Sequence, residues 1–144
     1  MGDNGDGVGA LGGHVQEPDE TTDGLLADVV DAVAKVRTVL GVGLLESLYQ
    51  EALRRELVKR GHVVRTNIRV HVDYDGEPLD GYYTVDLLVD GMVVEAKACE
   101  RLHPTAFAQT LTYLRATNTR IGLLVNFHAV PLRTGIHRMI RRQG

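Results

Sequence analysis

The Asp-Gly pairs at residues 75–76 and 90–91 punctuate β-branched and aromatic runs and dictate where this chain turns. A two-residue I′ turn needs positive φ at both central positions, which Asp and Gly tolerate better than most residues. The runs "IRVHVDY", "YYTVDLLV" and "MVVEAKA" therefore read as an antiparallel meander. Helical spacing brackets it. Asp23 reads as the N-cap of a helix whose apolar positions are Leu26, Val29, Val30, Val33 and Leu40, stopping at Gly41. A second helix, from about Gly43 to Arg60, carries Leu45, Leu48 and Ala52 on one stripe and ends at Gly61. After the meander, "HPTAFAQTLTYLRAT" returns to helical spacing through Phe107, Leu111 and Leu114, with Pro104 suited to a first turn. "IGLLVNF" is the apolar run of a strand covered on both faces, and "LRTGIHRMIRR" reads as a short basic helix. The order is ααβββαβα, a single α/β domain.

Composition sets the limits around that domain. Residues 1–23 are Gly-rich and hold six acids with no Lys or Arg, and they show no periodicity, so this stretch reads as a disordered acidic tail ahead of a domain spanning 24–144. Removing the tail leaves 13 acids against 16 bases, a mildly basic body that permits a polyanion partner without demanding one. No run of apolar residues is long enough to span a bilayer, and the opening residues lack the pattern of a secretory leader, so the expectation is a cytoplasmic protein without a membrane partner. The lone Cys99 reads as a small apolar residue rather than a nucleophile.

The Asp90-Gly91 pair has a chemical consequence. Counted outward from the turn, Val89 faces Met92, Leu88 faces Val93, Leu87 faces Val94, and Asp86 stands opposite Glu95. Lys97 shares the face of Glu95, by the two-residue period of a strand. Opposed carboxylates with Cβ atoms ~5 Å apart repel each other unless a cation lies between them. Two hard oxygen ligands suit Mg²⁺, which binds through one or two carboxylates and keeps several waters. The competing reading is a surface ion-pair ladder among Asp86, Glu95 and Lys97, nearly neutral in energy. Apolar residues on both faces, Leu88 and Val93 on one and Val85, Leu87, Val89 and Val94 on the other, weigh against that ladder.

Other residues point the same way without deciding it. Glu46 lies on a stripe with Tyr49 and Leu53, although an acid near a helix start is also favoured by the helix dipole alone. Gln109 and Tyr113 stand one above the other among small neighbours, Ala106 and Ala116, which leaves room for a ligand or for a simple packing contact. His103, just ahead of that helix, reads as a surface or capping residue before a phosphate contact.

Gly43, Glu46 and Tyr49 spell G-x-x-E-x-x-Y; Asp86 with Glu95-Ala96-Lys97 spells D-x8-E-x-K; Gln109 and Tyr113 spell Q-x-x-x-Y. In that order the motifs resemble the GxxExxY proteins, a branch of the PD-(D/E)XK nuclease superfamily, from about Leu25 to Ile140. The resemblance implies a restriction-endonuclease-like αβββαβ core with a mixed central sheet flanked by helices and an extra N-terminal helix. It implies Asp86, Glu95, the Ala96 carbonyl and Glu46 as metal ligands, with Mg²⁺ or its substitute Mn²⁺ as the ion. Lys97 would act on the attacking water and transition-state charge, and Gln109 and Tyr113 would hold the scissile strand. The activity implied is phosphodiester hydrolysis in nucleic acid, DNA ahead of RNA. A domain this small, without obvious loops for substrate choice, also argues for help from a second copy of the chain or a larger protein partner. The alternative is a nuclease fold that binds nucleic acid or a partner without cutting. One departure is "VRTVLGVG", where Arg37 and Val42 stand in the His and Pro places of the usual V-H-x-x-L-G-P-G.

Overall fold

The computed structural model describes residues 20–142, and its first element, α1 (Glu20–Leu40), is followed after a short loop by α2 (Glu46–Lys59). Each has one apolar face. Leu26, Val29, Ala32, Val33 and Val36 are buried on α1, and Tyr49, Leu53 and Leu57 on α2. β1 (Val64–Val70) leads into a two-residue hairpin, β2 (Asp73–Tyr74) and β3 (Glu77–Pro78), before β4 (Tyr83–Val89) returns antiparallel to β1. β5 (Met92–Lys97) pairs antiparallel with β4 in the register counted from the turn: Val89 with Met92, Leu88 with Val93, Leu87 with Val94. Asp90 and Gly91 between them take φ of 48° and 88°, as a I′ turn requires.

α3 (Pro104–Ala116) is the crossover that lets β6 (Ile121–Asn126) lie parallel to β5. A 3₁₀ turn, η1 (Leu132–Gly135), then leads into β7 (Ile136–Ile140), antiparallel to β6. The result is a mixed five-stranded sheet in the order β1-β4-β5-β6-β7 with helices on both faces, the α/β arrangement expected from the sequence. α1 and α2 pack with Leu87, Val89, Val94 and Val125 on one face. Tyr113 and Leu114 of α3 pack with Leu88 and Val93 on the other. Gly122 permits that second contact, since a Cβ there would lie 2.7 Å from the Val93 carbonyl oxygen and 2.9 Å from the Leu114 side chain.

Five expectations need correction. Glu20 to Asp23 are helical, so Asp23 is inside α1 rather than capping it, and only residues 1–19 of the expected tail lie outside the described residues. α2 starts at Glu46, with Leu45 as an N-cap that makes no side-chain bond, so Glu46 is its first residue and Gly43 is loop. Leu45 and Leu48 are exposed, because the stripe of Tyr49, Leu53 and Leu57 is the one that meets the sheet. The Asp75-Gly76 pair closes the small β2–β3 hairpin and not the β1–β4 pairing. The C-terminal segment is a strand. Ile136, Met139 and Ile140 have helix-like spacing, but β7 places Ile136 and Ile140 against the α1/α2 side and Met139 against the α3 side, satisfying two cores at once.

Candidate active site

Side-chain alternation breaks at Asp86. Leu87 and Val89 face α1 and α2 while Leu88 faces α3, yet Val85 also packs on the α3 side, where regular alternation would place its neighbour. This corrects the expectation that Val85 shares a face with Leu87. β1 slips in step: Val64 packs on the α1/α2 side and Ile68 on the α3 side, with Asn67, at φ 54°, between them. Asn is one of the few residues that enters this left-handed region readily. Neither Asn67–Asp86 nor Asp86–Glu95 forms a regular backbone pair: the β1–β4 ladder resumes beyond the first gap, with Ile68 opposite Val85, whereas the β4–β5 ladder ends at Leu87–Val94.

Side chains replace the missing rungs. The Asp86 backbone N–H donates to Glu95 Oε2 at 2.7 Å, and the Ala96 N–H donates to Asp86 Oδ2 at 3.0 Å. Each of the two carboxylates expected to oppose each other thus accepts a backbone N–H of the opposite strand at the end of the β4–β5 ladder. Glu95 is 2% exposed. Burial, then the neighbouring Asp86 charge, pushes its carboxyl up to about 8, while Lys97 pulls the other way. Burial also raises the Asp86 carboxyl, opposed by the Ala96 N–H and by Lys97. Lys97 Nζ lies 3.9 Å from Glu95 Oε1, an ion pair at the limit of contact. One lysine cannot neutralise both acids.

Glu46 reaches this cluster through a residue that the sequence reading missed. Gln50 Nε2 donates to Glu46 Oε2 at 3.2 Å and to the Ala96 carbonyl oxygen at 3.3 Å. The same side chain acts on Asp86, lowering its carboxyl. The available signal was helical: Gln50 is four residues after Glu46 and so lies on its face. Tyr49, by contrast, is a structural residue. Its ring stacks on Phe127 with centroids 4.7 Å apart, and its hydroxyl donates to the Gly41 carbonyl at 2.6 Å and accepts from the Leu44 N–H at 3.2 Å, fixing the loop that starts α2.

A family model of the PD-(D/E)XK nuclease superfamily matches residues 23–139. The chain belongs to that superfamily. No curated protein and no solved structure matches it. PD-(D/E)XK members are usually nucleases, typically with divalent metals such as Mg²⁺, so the superfamily implies a phosphodiesterase acting on nucleic acid. Among the described residues no helix is long and apolar enough to cross a membrane.

The donors in this PD-(D/E)XK site are all hard oxygens, which fits Mg²⁺ rather than a thiolate- or imidazole-loving metal. Among the described residues no three Asp, Glu, His or Cys side chains converge as a complete metal cage. Geometry explains this: Asp86 and Glu95 touch, whereas Glu46 is joined to them through Gln50. Two carboxylates and the Ala96 carbonyl still suit an ion that keeps several waters.

The remaining expected residues divide. Tyr113 is buried beside the acids, its hydroxyl pushed up to about 12 by burial and then by the charges of Glu95 and Asp86. Its ring lies 5.8 Å from that of the exposed Tyr83, an aromatic neighbour not anticipated from the sequence. Gln109, one turn earlier on α3, is exposed. His103 caps α3, its Nδ1 accepting the Thr105 N–H at 3.1 Å. Cys99 is free and half-buried, less buried than expected, and Asn126 brackets its backbone by accepting its N–H at 3.1 Å and donating to its carbonyl at 2.8 Å. Arg37, in the place of the usual His, ties α1 to the loop after β6 through the Phe127 and Ala129 carbonyls.

Proposed function

We propose that this chain is a Mg²⁺-dependent nuclease of the GxxExxY branch, cutting phosphodiester bonds in DNA in preference to RNA, with its catalytic unit in residues 24–144. The observation that carries this reading is the placement of the Asp86 and Glu95 carboxylates beside Lys97, Glu95 accepting the Asp86 N–H and Asp86 accepting the Ala96 N–H, a buried acidic pair with too little cationic charge of its own. Such a pair is costly to keep ionised without a bound cation.

Asp86, Glu95, the Ala96 carbonyl and Glu46 would hold the ion, with Mn²⁺ as a substitute. When bound, the ion supplies polarisation of the phosphoryl oxygen and a more acidic water. Lys97 orients the attacking water and offsets charge that builds on the phosphoryl oxygens. Gln109, exposed on α3, and Tyr113, beside the acids, contact the strand being cut.

The test is incubation of the purified protein with labelled single- and double-stranded DNA and RNA, in Mg²⁺, in Mn²⁺ and in chelator. Cleavage that requires the ion and favours DNA is expected. No cleavage of any substrate, with nucleic-acid binding indifferent to the ion, would instead identify a non-cutting binding module.

A further inference from the structure

The Gln50 amide occupies a particular position. Both of its Nε2 partners are acceptors, a carboxylate oxygen of Glu46 and the Ala96 carbonyl oxygen. Only the NH₂ end can satisfy them, so the orientation of the amide is fixed by chemistry. Asp86, on the adjacent strand, also feels this side chain. One partly positive group therefore bears on the same oxygens from α2, β4 and β5 that the proposed ion would use.

We propose that Gln50 is a built-in competitor for the ion, its N–H groups stabilising the Glu46 and Ala96 oxygens until a divalent cation displaces them, so that Gln50 sets the ion affinity of the site. This rests on the metal-dependent reading above and adds a positioning residue to it. Competition follows from the lone pairs. A hard cation needs them directed at itself, and an amide hydrogen bond directs them elsewhere. The N–H groups have to be given up when the ion arrives, and their loss subtracts from the binding free energy. Gln50 would then tune the site so that it loads only when the ion is abundant.

Removing the donors should tighten ion binding. Gln50→Met keeps the length of the side chain but carries no N–H. By titration calorimetry it should bind Mn²⁺ about tenfold more tightly than the unsubstituted protein. Its melting temperature in chelator should be lower, and the gap should close at saturating Mn²⁺. Gln50→Glu, nearly the same shape, should bind still more tightly, because it removes the donors and adds a charge. If Gln50→Met weakened binding while Gln50→Glu strengthened it, Gln50 would be an ion ligand through its carbonyl oxygen and the proposal would be overturned. Equal affinity in all three proteins would overturn it as well, leaving the metal-dependent reading intact. Absence of any Mn²⁺ or Mg²⁺ binding in the unsubstituted protein would remove both.

Discussion

At the scale of single residues, Lys97 and Asp86 are neighbours with separable jobs. Lys97→Ala should lower cleavage by about 100-fold or more, the loss seen when one transition-state donor is removed. Its Mg²⁺ affinity, read by calorimetry, should stay close to that of the unsubstituted protein, because a protonated amine is not a ligand. Asp86→Ala should lose both cleavage and ion binding. If Lys97→Ala lost ion binding to the same degree, the acids and the lysine would be acting as one structural cluster. The acid pair was legible in the sequence because an Asp-Gly turn fixes strand register, and register fixes which side chains meet. Gln50 was not, since nothing in a helical stripe distinguishes a glutamine that reaches a strand carbonyl from one in water.

At the scale of elements, the two residues that bound the ExxY segment of α2 do different work. Glu46 faces the strands bearing the acids through Gln50, whereas Tyr49 anchors the loop before the helix. Tyr49→Phe should keep the stacked ring but strand the Gly41 carbonyl and the Leu44 N–H, lowering stability by about 1–2 kcal/mol in a denaturant titration. Ion affinity should hardly change. A large loss of affinity with little loss of stability would make Tyr49 part of the site instead. Elements bounded by clear turn and cap signals were legible: α3, β5 and β6 fall where their patterns place them, while α1 begins ahead of its expected cap and β4 breaks its alternation at Asp86. β7 was not, because a strand with partly buried apolar residues on both sides can imitate the apolar spacing of a helix. The length of α2's exposed apolar stripe misled in a similar way, since periodicity reports that a face exists and not which face meets the sheet.

At the scale of the whole molecule, pH acts on two clusters in the same direction. His62 bridges Asp28 of α1 and Asp90 of the β4–β5 turn, and hydrogen bonds to those two acids raise its pKa above the usual 6.5. A group raised in the folded state contributes stability that is complete below its unfolded pKa and is lost as pH climbs through the folded one. Glu95, raised to about 8, and Asp86, also raised, obey the same sign. In chelator, thermal stability should therefore decline from about pH 5 to pH 9. His62→Gln should remove the part of that decline that begins near pH 6.5, and saturating Mg²⁺ should remove the part due to the acids. A flat profile in chelator would contradict both assignments. The slip in alternation at Asn67 and Asp86 also bears on how this scaffold can change over time. Beyond it, the β1–β4 arm is phased one residue out of step with the base of the sheet, so a segment transplanted from an unslipped hairpin would arrive inside out. Tyr83 would turn away from Tyr113, and arms of this lineage would be exchangeable only when cut on the far side of Asp86.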